Sequence, residues 1–99
     1  MKIYVKVYRV QGEVLVAACD EELLGKTFRE GEVKLEVKER FYKGELKEVD
    51  VLEELLEDAT IANLTGERCV RKAIELGYVD EKRVLYVQSI PHAQMAKLL

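Results

Sequence analysis

The chain has 99 residues, of which 48% are hydrophobic and 35% are charged, and its 16 basic and 19 acidic residues give a net charge of −3. A chain of this length forms one domain, residues 1–99, that buries roughly 65% of its unfolded surface without disulfides. The near balance of charge excludes a protein that coats DNA through a basic excess. The abundance of Glu and Lys resembles the usage of heat-adapted proteins.

The N-terminal part of the chain is predicted to form an antiparallel hairpin. Residues 3–8 alternate between apolar and polar, Gln11 and Gly12 make a plausible turn, and residues 14–19 are apolar throughout. A strand that is apolar on both sides is typical of the centre of a sheet. Asp20 follows this strand and can cap a short helix.

The middle of the chain contains a third strand and a first helix. Residues 33–37 alternate as a half-exposed strand does, and residues 41–42 are predicted to form an anchored turn. Asp50 and Glu53 form a capping box ahead of a helix with a buried stripe over 51–59.

A second helix is predicted from a cap at Thr65 to a stop at Gly77, directly after an apolar run over 61–64. Residues 84–87 are rich in strand formers. Pro91 can open a final helical turn, which leaves the tail free to dock through its apolar residues. The predicted fold is α+β, a mostly antiparallel sheet of about four strands with two main helices packed on one face and short helical turns.

A binding site for RNA or another anion is predicted from two features. Aromatic residues 41–42 lie among basic residues, a mixture that single-stranded RNA sites use. The start of the second helix at Gly66 offers backbone N–H groups to an anion. The residues expected to bind are Lys38, Arg40, Tyr42, Lys43 and Arg68. The alternatives are an ordinary salt-bridged surface and a normally capped helix.

Other functions have less support in the sequence. Cys19 and His92 could act as thiol and base in a small enzyme, although each is better explained as a structural residue, Cys19 in a core strand and His92 in a turn. The segment 48–58 contains six acidic residues and no basic one, which suits either a solvated helix face or a basic partner. The apolar tail over 95–99 suggests a protein-interaction subunit or a homodimer. We expect no metal and no cofactor, because the cysteines and the single histidine lack ligand spacing.

Five local sequences follow one another along the chain: Cys19–Lys26, Phe28–Gly31, Arg40–Tyr42, Ala59–Glu67 and Pro91–Gln94. Together they resemble an archaeal family of unknown function, domain-of-unknown-function family 424. The resemblance covers nearly the whole chain and implies an accessory role with RNA or a protein of the translation apparatus. It carries no catalytic residues. Separately, the lack of an apolar run of about 18 residues and the alternating N-terminal residues predict a cytoplasmic protein with no membrane partner.

The same resemblance draws attention to polar groups at the ends of predicted elements. We expect these groups to line one cleft at one end of the sheet, with the alternative that each caps only its own element. The residues of this expected polar cleft are Asp20, Asn63, Gly66, His92 and Gln94.

Overall fold

The chain begins with a long antiparallel hairpin. The structure, a computed structural model, describes residues 1–98 and contains strand β1 over Lys2–Val10 and strand β2 over Glu13–Asp20. Gln11 and Gly12 connect the two strands with φ values of 50° and 84°. This pair of left-handed residues makes the tight turn that matches the twist of a hairpin. The predicted hairpin and its turn are therefore confirmed.

The remaining elements are short. Three 3₁₀ turns cover Glu21–Leu23, Val49–Val51 and Glu81–Arg83. The strands and helices after β2 are β3 Thr27–Glu30, β4 Val33–Glu36, α1 Glu39–Tyr42, β5 Glu45–Glu48, α2 Leu52–Asp58, β6 Ile61–Thr65, α3 Glu67–Glu75, β7 Leu85–Val87 and β8 Ile90–Ala96. In the part of the chain that the structure describes, no helix is long and apolar enough to cross a membrane.

Six strands form the main sheet, in the order β5-β1-β2-β6-β8-β7. Strands β2 and β6 run parallel, and every other neighbouring pair is antiparallel. The α+β class is confirmed, but the prediction of a mostly antiparallel sheet of about four strands with two main helices is wrong. The sheet is mixed, and α2 and α3 contain only 7 and 9 residues.

Among the strands that were not predicted, β5 and β8 were missed for different physical reasons. All four residues of β5 are exposed, so this edge strand carries no apolar alternation. Strand β8 does alternate, since Pro91, Ala93 and Met95 are buried, but a proline at this place in the sequence also favours the start of a helical turn, and the predicted turn is wrong. Pro91 is tolerated in a strand because it lies at the second residue, near the end of the ladder.

The sheet separates two apolar clusters. We call the side covered by α2 and α3 the helix face; it contains the larger core, with Ile3, Val16, Leu56, Leu64 and Val70 among its buried residues. We call the other side the hairpin face, because the separate hairpin β3–β4 and helix α1 cover part of it. Strand β2 contributes buried residues to both faces, which confirms its predicted central place.

The β3–β4 hairpin is tied to the turn between β7 and β8. The backbone N–H of Gln88 donates to Glu30 Oε1 at 2.6 Å, and the Gln88 side-chain amide donates to the Arg29 carbonyl at 2.6 Å. This attachment holds the hairpin over one end of the hairpin face. At the other end Tyr8, Leu15 and Ile61 remain only half-buried.

Candidate functional site

The carboxyl ends of the parallel strands β2 and β6 meet at the start of α3. Asp20, at the end of β2, is almost fully buried, and its carboxylate accepts the backbone N–H groups of Arg68 at 2.9 Å and Cys69 at 3.1 Å. Asp20 is therefore the cap of α3, although it lies 48 residues before Arg68 in the chain. The expected cap, Thr65, belongs to β6 and does not cap the helix.

Gly66 makes this cap possible. Its φ is 108°, and a Cβ atom built at this position would lie 2.3 Å from Asp20 Cγ. A side chain would thus collide with the buried carboxylate, so the close approach of Asp20 to the helix start requires glycine. Burial raises the pKa of Asp20, while the hydrogen bonds from the Arg68 and Cys69 amides act in the opposite direction.

Thr65 lies at the centre of a second polar group, on the hairpin face. Its hydroxyl is hydrogen-bonded to His92 Nδ1 at 2.8 Å and to the Tyr42 hydroxyl at 3.0 Å. Burial lowers the pKa of His92, so the ring is neutral at pH 7. Tyr42 is buried and held by this bond, which removes it from the stacking surface predicted for residues 41–42.

The residues of the expected polar cleft are divided between the two faces of the sheet. Asp20 lies on the helix face, opposite Ile3, whereas Asn63, His92 and Gln94 lie on the hairpin face. Gly66 joins the two sides through its N–H, which donates to the Pro91 carbonyl at 2.9 Å. Participation of these residues in binding stays a prediction.

Cys19 and His92 do not form a reactive pair in this geometry. Strand β6 lies between their strands, which separates their Cα atoms by about 10 Å. Burial, with a contribution from the Asp20 carboxylate, raises the pKa of Cys19 to about 12. A thiol with this pKa is not a nucleophile at neutral pH. Within residues 1–98, no group of three or more His, Cys, Asp or Glu side chains could hold a metal ion.

Arg68 is also engaged within the protein. Its guanidinium lies 2.6 Å from Glu22 Oε1 and 3.7 Å from Asp20 Oδ2, and its backbone N–H is donated to Asp20. Since both its side chain and its amide already have acidic partners, the helix start does not offer an open anion site.

An aromatic pair lies on the uncovered part of the hairpin face. The rings of Tyr8 and Phe41 are stacked, with centroids 5.6 Å apart and planes 19° apart, and the Tyr8 hydroxyl donates to the Phe41 carbonyl at 2.7 Å. The Lys6 ammonium lies 5.3 Å from the Tyr8 ring centroid. Tyr8 was missed as a site residue, although the alternation of β1 places it on the same face as Lys6.

The aromatic pair borders an apolar groove of about 460 Å³. The groove is lined by Tyr8, Val10, Gln11, Glu13, Leu15, Phe41 and Ile61. Its floor is formed by side chains of β1, β2 and β6 at the end of the sheet that β3–β4 leaves uncovered. An aromatic or other flat apolar group can lie against such a floor.

Basic residues without ion-pair partners surround α1. Seven basic side chains pair with acidic ones, namely Lys2, Arg9, Lys34, Lys47, Arg68, Arg71 and Lys72. In the described part of the chain, the five that we call the basic cluster make no ion pair: Lys6, Lys26, Lys38, Arg40 and Lys43.

The members of the basic cluster lie close together. Lys26, Lys38 and Arg40 line one open cavity of about 600 Å³, and the Lys6 ammonium donates to the Arg40 carbonyl at 3.0 Å. Two acidic residues also line this cavity: Glu36, which is paired with Lys34 at 3.0 Å, and Glu39, which makes no ion pair within residues 1–98. The result is a local excess of positive charge in a chain whose net charge is −3.

The acidic segment 48–58 and the apolar tail, both suggested as surfaces for a protein partner, make several contacts within the protein itself. In the acidic segment, Glu48 pairs with the N-terminal amine at 2.8 Å, Asp50 with Lys72 at 3.1 Å and Asp58 with Arg9 at 3.2 Å. In the tail, Met95 packs in the core and Leu98 is exposed, while Leu99 lies outside the described residues. The homodimer stays a prediction.

Comparison with known proteins bears out the family resemblance. Residues 8–98 match the model of a family described as protein of unknown function (DUF424). The chain belongs to this family. It is similar over 100% of its length, and over 96% of the other chain, to a crystal structure described as that of an uncharacterized conserved protein from Methanopyrus kandleri. The two are 22% identical with a TM-score of 0.79, a likeness that establishes a shared fold. None of the curated proteins matches the chain.

Proposed function

We propose that this DUF424 protein binds single-stranded RNA on the hairpin face, through the basic cluster and the Tyr8–Phe41 pair. One observation carries the proposal: basic residues without acidic partners lie directly beside an accessible aromatic pair, which is linked to them by Lys6 and Arg40. Proteins that bind single strands combine these two components, since cations hold the phosphates and aromatic rings stack on the bases.

The charge distribution supports a localised contact. The net charge of −3 is unsuited to coating a polyanion, so binding depends on the few basic residues of the basic cluster, which make no ion pair within residues 1–98. Lys38, Arg40 and Lys43 are exposed around α1 and are the members best placed to contact phosphates. The apolar groove beside Tyr8 then accepts a base whose neighbours are held by these cations.

Removal of single charges tests the phosphate contacts. We expect Lys38→Ala and Arg40→Ala each to weaken binding of a fluorescent single-stranded RNA several-fold. Each should also lower the slope of log affinity against log salt by about 0.7, because each contact with a single strand releases that share of counterions. Fluorescence anisotropy across a salt series measures both quantities.

A matched control comes from Lys82, which is exposed and makes no ion pair among residues 1–98. It precedes β7, which is four strands away from β1 in the sheet, or about 19 Å. Lys82→Ala should leave both the affinity and the salt slope unchanged. If Lys38→Ala and Arg40→Ala also change neither quantity, the basic cluster does not bind RNA.

The stacking contact has a different signature. Phe41→Leu keeps an apolar side chain but removes the ring, so it should weaken binding by about 1–3 kcal/mol, the usual contribution of one stacked base. Because no charge is removed, the salt slope should stay as in the original protein. A loss of slope in Phe41→Leu would show that the variant disturbs the basic cluster instead.

We propose the translation apparatus as the source of the RNA, which is the setting implied by the archaeal family resemblance. Gentle purification of the tagged protein from its host, with and without nuclease, tests this part. Ribosomal particles or a specific RNA that disappear on nuclease treatment would support it. A protein partner that survives nuclease would favour a protein-interaction subunit.

A further inference from the structure

Two side-chain amides face each other on the hairpin face beside the apolar groove. Asn63 of β6 and Gln94 of β8 are directly opposite in the ladder, and the Gln94 amide nitrogen donates to Asn63 Oδ1 at 2.8 Å. Asn63 is half-buried and Gln94 is exposed. Because both side chains are joined to each other and fixed to central strands, their remaining polar groups have a defined relative position.

The bond between the two amides leaves both a donor and an acceptor available. Within residues 1–98 it is the only hydrogen bond that either side chain makes. The Asn63 NH₂ group therefore keeps two N–H donors, and Gln94 keeps its carbonyl oxygen and one N–H. A donor and an acceptor side by side are what a base edge needs for two hydrogen bonds.

The amide pair lies within reach of a base next to the one in the groove. Asn63 is two residues along β6 from Ile61, which lines the groove, a distance of about 6.7 Å. Its neighbour across the ladder in β2 is Ala17, and the residue two positions after Gln94 is Ala96. Ala17 is fully buried in the cluster on the hairpin face, whereas Ala96 is small and exposed, so a flat base can approach the amides from the side of β8.

We propose that the Asn63–Gln94 pair recognises adenine in the bound RNA, an inference that rests on the proposed function. The Gln94 carbonyl accepts from the adenine N6 amine, while the Asn63 amide donates to a neighbouring ring nitrogen. In adenine the N6 amine is a donor that lies beside an acceptor on both edges that an unpaired base exposes. The acceptor is N7 on the major-groove edge and N1 on the base-pairing edge.

The other bases match this arrangement less well. Guanine has two acceptors, N7 and O6, on its major-groove edge. Guanine, cytosine and uracil each place a donor beside an acceptor on the edge used for base pairing, so only adenine offers a matching pair on both this edge and the major-groove edge. Contacts to phosphate position a nucleic acid, whereas contacts to base edges specify it. The amide pair thus supplies the specificity that the basic cluster lacks.

Oligoadenylate and oligouridylate of equal length test the inference by fluorescence anisotropy. The original protein should prefer oligoadenylate roughly tenfold, which corresponds to one good pair of base contacts. Asn63→Leu and Gln94→Leu should each bring the affinity for oligoadenylate close to that for oligouridylate and leave the latter unchanged. An oligomer of purine riboside, which lacks the N6 amine, should bind both the original protein and Gln94→Leu equally.

The outcomes separate this inference from the function on which it rests. Binding of both oligomers with equal affinity, or a preference that both variants retain, overturns adenine recognition and leaves RNA binding intact. Failure of every single-stranded RNA to bind overturns both. Thermal unfolding of each variant confirms that the domain is folded, which we expect for Gln94→Leu in particular because this side chain is exposed.

Discussion

Replacement of Asp20 by alanine tests the cap that joins β2 to α3. The carboxylate is the acceptor for the backbone N–H groups of Arg68 and Cys69, and it is almost fully buried. Asp20→Ala would leave both N–H groups without their acceptor at a site from which water is largely excluded. The Arg68 guanidinium, 3.7 Å away, would lose one of its two acidic partners as well.

The expected loss in the free energy of unfolding is about 3 kcal/mol. Loss of a helix cap costs roughly 0.5–2 kcal/mol, and each buried N–H group left without an acceptor costs roughly 1–3 kcal/mol. Part of this cost is offset because alanine removes a carboxylate whose burial is itself unfavourable. In a domain of this size, 3 kcal/mol lowers the unfolding temperature by roughly 12–24 °C.

Urea unfolding followed by circular dichroism measures the effect, with Asp50→Ala as the matched control. Asp50 also precedes a helix and was expected to cap it, but it is exposed, and its side chain pairs with Lys72 and makes no other polar contact within residues 1–98. Its replacement should cost no more than about 0.5 kcal/mol. Equal losses in the two variants, or a loss below about 1 kcal/mol for Asp20→Ala, would refute the role of Asp20 as the cap.

Three further predictions concern neighbouring residues. Gly66→Ala should lower the free energy of unfolding by at least roughly 2 kcal/mol in the same urea assay, because its Cβ would collide with Asp20. The control is Gly31→Ala, which should lower it by about 1 kcal/mol, because Gly31 has a φ of 60° but open space around it. Because burial lowers the pKa of His92 in the folded protein, His92 is protonated in the unfolded chain first as the pH falls below about 6.5. The free energy of unfolding should therefore decrease as the pH falls through this range, and His92→Gln should lack this decrease. Cys19, with a pKa of about 12, should react with iodoacetamide at pH 8 only after denaturation, and rapid labelling of the native protein would contradict its burial.

Local patterns were sufficient for much of the fold. The alternation in β1 and the continuous apolar run in β2 predicted a hairpin with a central second strand, and the apolar stripe of α3 predicted that helix up to the left-handed Gly77. The parallel pairing of β2 with β6 was not predictable in this way. It depends on contacts between segments more than 40 residues apart, which leave no local signal.

The cap of α3 shows the same limit. Thr65 stands where a local cap belongs, but its hydroxyl is bonded to Tyr42 and His92, and the cap comes from Asp20 on another strand. The steric reason for a glycine at position 66, the closeness of the Asp20 carboxylate, is visible only in the tertiary structure.

For the candidate site, the sequence predicted the exposed basic residues around α1 more accurately than it predicted which aromatic side chains are accessible. Lys38, Arg40 and Lys43 are exposed and belong to the basic cluster, because charged residues within and next to a short surface helix have few ways to become buried. Of the two adjacent aromatic residues, Tyr42 turns inward and Phe41 stacks on Tyr8. The choice between them depends on which strand lies beneath α1, and this is a property of the packed structure.

Nuclear magnetic resonance titration of the ¹⁵N-labelled protein with single-stranded oligoadenylate at low salt tests the central claim most directly. The account predicts that backbone amide signals shift along the second half of β1, around α1 and near Asn63, and that signals of α2 and α3 on the helix face stay in place. Shifts confined to the helix face, or no shifts at a large excess of RNA, would contradict the proposal that the hairpin face binds RNA.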